Sequence, residues 1–318
     1  MSLRPFGRQR ALACAGLLLI SVALIIAACG NDDAPEVGCS GGDINVVTSL
    51  PLFAEWACII GGDNVTVTPL VPEGADPRTY EPTSDQSAAI DQAHLVLYNG
   101  LGLDQPSLDF VYSHATGRIQ IIGYAIALPS PTAEQPADGV TPITADEAGD
   151  NPMMWLDVDT ALKYISSTRD SLQIADPEGL SYYQDNASAY MAELQDLDRD
   201  LRQAVESVPR ERRGLATLYD TFPHFARAYG LQVLGFTAAT PQDAPEQGDL
   251  DALIQTLTET GVPAVFADRG YDASTLQQVA TVAGVELCFL YSDQFDDEAD
   301  TYIEMMEANA EELQRCLG

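Results

Sequence analysis

Basic residues and histidine are scarce in this chain of 318 residues. Fifteen Lys and Arg stand against 48 Asp and Glu, with three His, and the formal net charge is −33. Nucleic acids and anionic membrane surfaces would repel this charge, so we exclude both as partners. An acidic surface attracts cations, but about 0.1 M salt screens its field within about 10 Å. Diffuse acidity therefore does not make a binding site by itself.

The sequence also lacks the motifs of several enzyme classes. It contains no phosphate-binding loop and no His-Glu-x-x-His. Asp220 and Asp268 follow predicted strands, but nothing in the pattern marks them as an acid and base pair. We predict that the chain is not an enzyme, and that His94, His114 and His224 are surface or packing residues.

The first residues have the form of an export signal. Arg4, Arg8 and Arg10 precede an apolar run that ends at Ala28, and the four residues from Ile26 to Cys29 resemble the lipobox of bacterial lipoproteins. We predict cleavage before Cys29 and lipidation of its thiol, with a retained membrane helix as the alternative. The mature chain would then carry 12 basic and 48 acidic residues, and it would be anchored to the outer face of the membrane.

The remaining cysteines lie in two separate pairs along the chain, Cys39 with Cys58 and Cys288 with Cys316. No Cys-x-x-Cys is present, which argues against a zinc ribbon or a redox motif. In an oxidising exterior we expect local pairing within each half, giving two structural disulfides.

Strand and helix patterns alternate on both sides of a long helical region. This order predicts an α/β fold with two parallel-sheet lobes joined by one long helix, and with the ligand cleft between the lobes. Asp176-Pro177 divides the helical region, so its second helix should run from about Gly179 to Val208. The predicted parts are a signal peptide (1–28), a lipid-anchored tether (29–43), an N-terminal lobe (44–158) containing an acidic, unpatterned loop (127–150), the linking helical region (159–208) and a C-terminal lobe (209–318).

Five motifs in order along the chain resemble those of one protein family. They are Gly74–Thr83 (GADPRTYEPT), Tyr98–Leu103, Asn151–Asp157, Tyr219–Leu231 and Leu290–Asp293. Together they resemble the zinc and manganese substrate-binding proteins of bacterial ABC importers, over roughly residues 45–317. The resemblance implies a monomer with a divalent zinc or manganese ion in the cleft, and a permease and an ATPase as partners.

The same resemblance places the metal ligands at four positions. The family supplies histidines, or a glutamate at the third position, from three of its motifs and a carboxylate from the last. Here those positions hold Arg78, Met153, Tyr219 and Asp293, so only Asp293 keeps a family ligand. Arginine offers a metal no lone pair, and a thioether suits Cu⁺ better than zinc or manganese. The metal site is therefore altered.

We expect Arg78 to face Asp293 as an ion pair, with Tyr219 beside it as a hydrogen-bonding phenol and Met153 as a packing residue. One interpretation is a metal-binding protein whose site is closed by this pair. Another is a binding protein for a nonmetal solute, such as a small anion or an amino acid, that Arg78 grips. The third is a surface interaction or adhesion protein. The fold alone does not choose among them.

Overall fold

A computed structural model of the chain describes residues 38–115, 120–123 and 151–318, and only the backbone for 120–123. The predicted signal peptide, the lipidation site Cys29 and the acidic segment 127–150 lie outside the described residues. Within the described ranges, no helix is both long enough and apolar enough to span a membrane.

The N-terminal lobe contains a parallel sheet in which β1 (Ile44–Thr48) lies between β2 (Val65–Pro69) and β3 (Leu95–Tyr98), and β4 (Gln120–Gly123) pairs with the other side of β3. β-branched and leucine residues fill these strands, as expected where helices cover a parallel sheet. Its elements are β1 (Ile44–Thr48), α1 (Pro51–Gly61), β2 (Val65–Pro69), α2 (Ser87–Gln92), β3 (Leu95–Tyr98), α3 (Gln105–His114) and β4 (Gln120–Gly123).

Two helices follow, α4 (Val158–Ala175) and α5 (Leu180–Ser207). The Asp176 side chain accepts a hydrogen bond from the Glu178 backbone N–H and so starts a short 3-10 turn between them. This is the predicted break. The 28-residue α5 buries one face at spacings of three or four residues and packs against α1 of the first lobe. Its buried residues are Tyr183, Ala187, Tyr190, Leu194, Leu197, Leu201 and Val205.

The C-terminal lobe is built on two parallel strand pairs, β5 (Gly214–Ala216) with β6 (Gln232–Gly235) and β7 (Ala264–Asp268) with β8 (Glu286–Leu290). A single bridge between Thr217 and Phe266 connects the pairs. The elements are β5 (Gly214–Ala216), α6 (Pro223–Tyr229), β6 (Gln232–Gly235), α7 (Gln247–Thr260), β7 (Ala264–Asp268), α8 (Ser274–Ala283), β8 (Glu286–Leu290) and α9 (Tyr302–Leu317). The predicted two-lobed α/β fold is thereby confirmed.

The two lobes share a hydrophobic core. One cluster of buried side chains extends from α1 through α5 to α9, which also packs on α5. At its centre the ring of Trp56 lies 5.3 Å from that of Tyr302 and 5.5 Å from that of Tyr164, both in edge-on geometry. Because Trp56 belongs to α1 and Tyr302 to α9, the lobes are packed directly on one another as well as linked by α5.

Both disulfides follow the local pairing that we expected. Cys39 is joined to Cys58, and Cys288 to Cys316. The Cys39 carbonyl also accepts a 2.8 Å hydrogen bond from the Val67 N–H on the edge of β2. Cys39, which lies within the predicted tether of 29–43, is therefore fastened to the N-terminal lobe.

Candidate metal site in the interlobe cleft

The loop that carries Arg78 is held by its own aspartate. The Asp76 Oδ1 atom accepts hydrogen bonds from the Arg78 backbone N–H at 3.0 Å and from Arg78 Nη1 at 3.3 Å. The other Asp76 oxygen accepts a hydrogen bond from Gln242 of the C-terminal lobe. Proline at position 77 fixes the backbone between the two residues. Asp76 thereby orients the guanidinium toward the opposite lobe.

Asp293 receives that guanidinium from the other side of the cleft. Its side chain is fully buried, and its Oδ2 atom lies 3.5 Å from Arg78 Nη1 and accepts a 2.9 Å hydrogen bond from the Tyr271 hydroxyl. The Ser292 hydroxyl donates to Asp293 Oδ1 at 3.1 Å. Burial raises the pKa of Asp293, whereas Arg78 opposes that rise. Burial acts to lower the pKa of Arg78, but Asp293, Tyr271 and Asp76 together outweigh burial and raise it, so the guanidinium stays charged.

A second buried carboxylate, Asp268, lies beside this ion pair at the end of β7. It is 3% exposed, and burial, with the nearby charge of Asp293, raises its pKa to about 7. The hydroxyls of Thr221 and Ser292 partly offset that rise. In the part of the chain that the structure describes, Asp268 Oδ2 has no hydrogen-bond partner. A fully buried oxygen without a partner is costly, so this atom calls for an explanation.

Tyr219 lies near Asp268 and Asp76, whereas Met153 has different surroundings. Tyr219 is 8% exposed, and burial together with Asp268 raises the pKa of its phenol, so that it is neutral at ordinary pH. It can donate a hydrogen bond but is not a phenolate ligand. Met153 is 1% exposed and belongs to the core cluster that the lobes share. Its thioether therefore packs among apolar side chains.

The three histidines make hydrogen bonds away from the cleft pair. His94 Nδ1 accepts from the Asn45 N–H at 2.9 Å, and His114 Nδ1 lies 2.9 Å from the Phe110 carbonyl. His224 is buried with Nε2 3.0 Å from the Asn151 carbonyl, and burial lowers its pKa. In this arrangement each histidine has a local structural role.

One further group of potential metal ligands occurs within the described ranges, at Glu286, Cys288 and Cys316. The two sulfur atoms are bonded to each other, so neither is available as a thiolate. This group is a structural crosslink.

The sequence singled out four positions for the cleft, and the structure brings two of them, Arg78 and Asp293, into contact. Sequence reasoning did not find the roles of Asp76, Tyr271 and Gln242. Asp268 was recognisable as a carboxylate at a strand end, but its proximity to Asp293 depends on the parallel pairing of β7 with β8. The result is a cleft with three carboxylates around one guanidinium.

Solved structures share this two-lobed architecture. The periplasmic zinc-binding protein TroA of Treponema pallidum superposes with a TM-score of 0.74 and 25% identity, covering 87% of this chain and all of that one. A manganese-bound periplasmic metal-binding protein of Candidatus Liberibacter asiaticus superposes with a TM-score of 0.73 and 24% identity, covering 86% and 99%. The fold is therefore that of the two-lobed periplasmic binding proteins.

The sequence identifies the family within that class. The chain belongs to the ZnuA family, described as the periplasmic component A of zinc-uptake complexes, whose profile matches residues 46–316. The manganese-binding lipoprotein MntA of Halalkalibacterium halodurans is 29% identical over 302 residues, covering 94% of this chain and 96% of the relative. The manganese ABC transporter substrate-binding lipoprotein PsaA of Streptococcus pneumoniae is 25% identical over 314 residues, covering 96% and 98%. The family is a component of uptake complexes and not an enzyme family, as the sequence predicted.

Proposed function

We propose that this chain is the extracytoplasmic substrate-binding lipoprotein of an ABC importer, anchored through Cys29, and that its cargo is a divalent metal ion. Family membership supports the transport role, and the relatives' names connect the same fold with manganese and zinc. A permease and an ATPase are then its partners. We also propose that residues 44–158 form the N-terminal lobe, 159–208 the linking helical region and 209–318 the C-terminal lobe. The folded body starts at Cys39.

The observation that carries the proposal is the charge of the cleft. Asp76, Asp268 and Asp293 surround a single guanidinium, that of Arg78. A small anion would lie next to these carboxylates in a buried place where charges are weakly screened. A cation fits this environment, which makes the nonmetal solute the weaker alternative. The described surface supplies no observation that favours adhesion.

The test is calorimetry of the metal-stripped full-length protein in detergent with Zn²⁺ and Mn²⁺. We expect weak binding by the parent, because a guanidinium about 4 Å from a divalent ion opposes it by roughly 8 kcal/mol at an effective dielectric constant of about 20. Arg78→His should bind at least about tenfold more tightly, since it replaces a cation with a nitrogen ligand. The control is Arg199→His, because Arg199 is an exposed arginine paired with Asp196 on α5.

Two results contradict the proposal. If neither the parent nor Arg78→His bound either metal, the proposal that the cargo is a divalent metal ion would be wrong. Binding of glutamate or phosphate by the parent, lost in Arg78→His, would identify a nonmetal solute receptor instead.

A further inference from the structure

Asp268 has a buried oxygen that no described residue satisfies, and it lies beside an ion pair that a cation could replace. We infer that Asp76, Asp268 and Asp293 supply oxygen ligands to a cation site, and that Arg78 occupies this site until a hard divalent ion displaces it. The inference rests on the proposed function and specifies which side chains hold the cargo.

The first step concerns the place that Arg78 Nη1 occupies. It lies 3.3 Å from Asp76 Oδ1 and 3.5 Å from Asp293 Oδ2, and these two carboxylates come from different lobes. A metal ion binds carboxylate oxygens at about 2.0–2.6 Å, so each oxygen would need to approach by only about 1 Å. The guanidinium nitrogen thus marks a position where a positive charge is already stabilised.

The second step is the ligand that the ion pair leaves unused. Asp268 is 3% exposed, and its Oδ2 atom makes no hydrogen bond to any described residue. The Ser292 hydroxyl bonds Asp293 Oδ1 at 3.1 Å and also interacts with Asp268, so it lies between the two carboxylates. Arg78 satisfies Asp293 but leaves Asp268 Oδ2 without a partner. A metal ion bound between the carboxylates would satisfy both.

The third step is where the displaced side chain would go. Arg78 also lines a cavity of about 440 Å³ on the N-terminal lobe, together with Glu81, Asp109 and Phe110. Two carboxylates and an aromatic face suit a guanidinium. Arg78 can therefore leave the cleft and remain in an acidic environment.

The ligand chemistry defines the class of ion. Carboxylate, hydroxyl and water oxygens suit hard cations such as Mn²⁺, Mg²⁺ and Ca²⁺. The soft thioether of Met153 is buried in the shared core, and the Tyr219 phenol is neutral. The site should therefore prefer Mn²⁺ to Cu⁺ and should hold Zn²⁺ less well than a histidine site does.

The test measures Mn²⁺ affinity by electron paramagnetic resonance, using the metal-stripped full-length protein in detergent. Asp268→Asn keeps the shape of the side chain and should weaken Mn²⁺ binding by at least about tenfold, as expected for losing a charged ligand. Asp272→Asn is the matched control, because Asp272 is exposed on the same lobe and bonds only Ser274 in the described structure. Equal melting temperatures would show that both variants are folded.

A crystal structure of the parent soaked in Mn²⁺ tests the geometry without a variant. We expect an anomalous peak in contact with both Asp268 and Asp293, with Arg78 turned into the cavity beside Glu81. Unchanged Mn²⁺ affinity in Asp268→Asn, or a peak that Asp268 does not contact, would overturn this inference alone. Absence of binding by both the parent and Arg78→His would overturn the proposed function with it.

Discussion

The indole nitrogen of Trp155 donates a 2.7 Å hydrogen bond to the carbonyl oxygen of Ser292. Ser292 immediately precedes Asp293, and Trp155 belongs to the motif that also carries Met153. A buried tryptophan in the shared core is thus bonded to the backbone of the cleft loop. Movement of that loop changes the surroundings of the indole.

We therefore predict that cation binding changes the intrinsic fluorescence of the protein through Trp155. The chain contains two tryptophans, Trp56 and Trp155, so the signal can be assigned by substitution. Titration with Mn²⁺ should alter the emission of the parent and of Trp56→Phe, and should leave that of Trp155→Phe unchanged. A response that persists in Trp155→Phe would show that the loop and the indole are not coupled.

The second prediction concerns Glu55, a buried acid at the junction of the lobes. Both of its oxygens accept the Tyr302 N–H at the start of α9, at 3.2 and 3.0 Å. Burial raises its pKa to about 8, and Asp300 and Glu304 contribute to the rise. The pKa of the Glu55 carboxyl is thus higher in the folded protein than in the unfolded chain. Between these two pKa values the folded state keeps a proton on Glu55 that the unfolded state has lost. The free energy of unfolding should fall as pH rises from about 5 to about 8, by at most about 1.4 kcal/mol per pH unit.

Urea denaturation at pH 5, 6.5 and 8 measures this effect. Glu55→Gln should show a weaker decline with pH than the parent. Glu55 and Glu193 line one cavity of about 350 Å³. Glu193→Gln is the matched control, because Glu193 is exposed whereas Glu55 is buried. If Glu55→Gln and the parent declined in parallel, the pH dependence would originate elsewhere.

The third prediction concerns Asp104, which orders the loop after β3. Asp104 is buried and accepts the Ser49 hydroxyl at 2.5 Å and the N–H groups of Asn99 and Gly100 at 2.6 and 3.0 Å. In Asp104→Asn an NH₂ group replaces one of the two accepting oxygens, so at least one of these donors faces another donor. The free energy of unfolding should fall by about 1–3 kcal/mol. Asp109→Asn, at an exposed position of α3, should change it by less than about 0.5 kcal/mol. Chemical denaturation of both variants decides the matter, and equal effects would refute the role of Asp104.

The fourth prediction concerns the crosslink between β8 and the last turn of α9. Cys288 and Cys316 are 28 positions apart, and closing a loop of this length restricts the unfolded chain by about 3 to 4 kcal/mol. The double substitution of both cysteines by alanine should lower stability by about this amount. Dithiothreitol should still destabilise this variant, since Cys39 and Cys58 form a second bond. A double variant as stable as the oxidised parent would show that the crosslink is dispensable.

The sequence predicted well those features that depend on neighbouring residues. The ends of α5 lie within one residue of the predicted Gly179–Val208, because the apolar spacing and Asp176-Pro177 are local signals. The start of the last helix at Tyr302 is local in the same way, because the Thr301 hydroxyl accepts the Glu304 N–H and caps the helix.

The cleft was less predictable, because its contacts join distant parts of the chain. The family's motifs pointed to Arg78 and Asp293, which are 215 positions apart. No motif pointed to Gln242 bonding Asp76, or to Tyr271 bonding Asp293. These contacts depend on how the two lobes are packed, which the shared core determines.

The bond from Arg78 to Asp293 and the bond from Gln242 to Asp76 both cross between the lobes. The protein's own side chains thus link the lobes across the cleft, and an ion that displaces Arg78 must break the first of these contacts. How fast an ion is captured then depends on how often this contact opens. The observed rate of uptake into the cleft should level off at high metal concentration instead of rising in proportion to it.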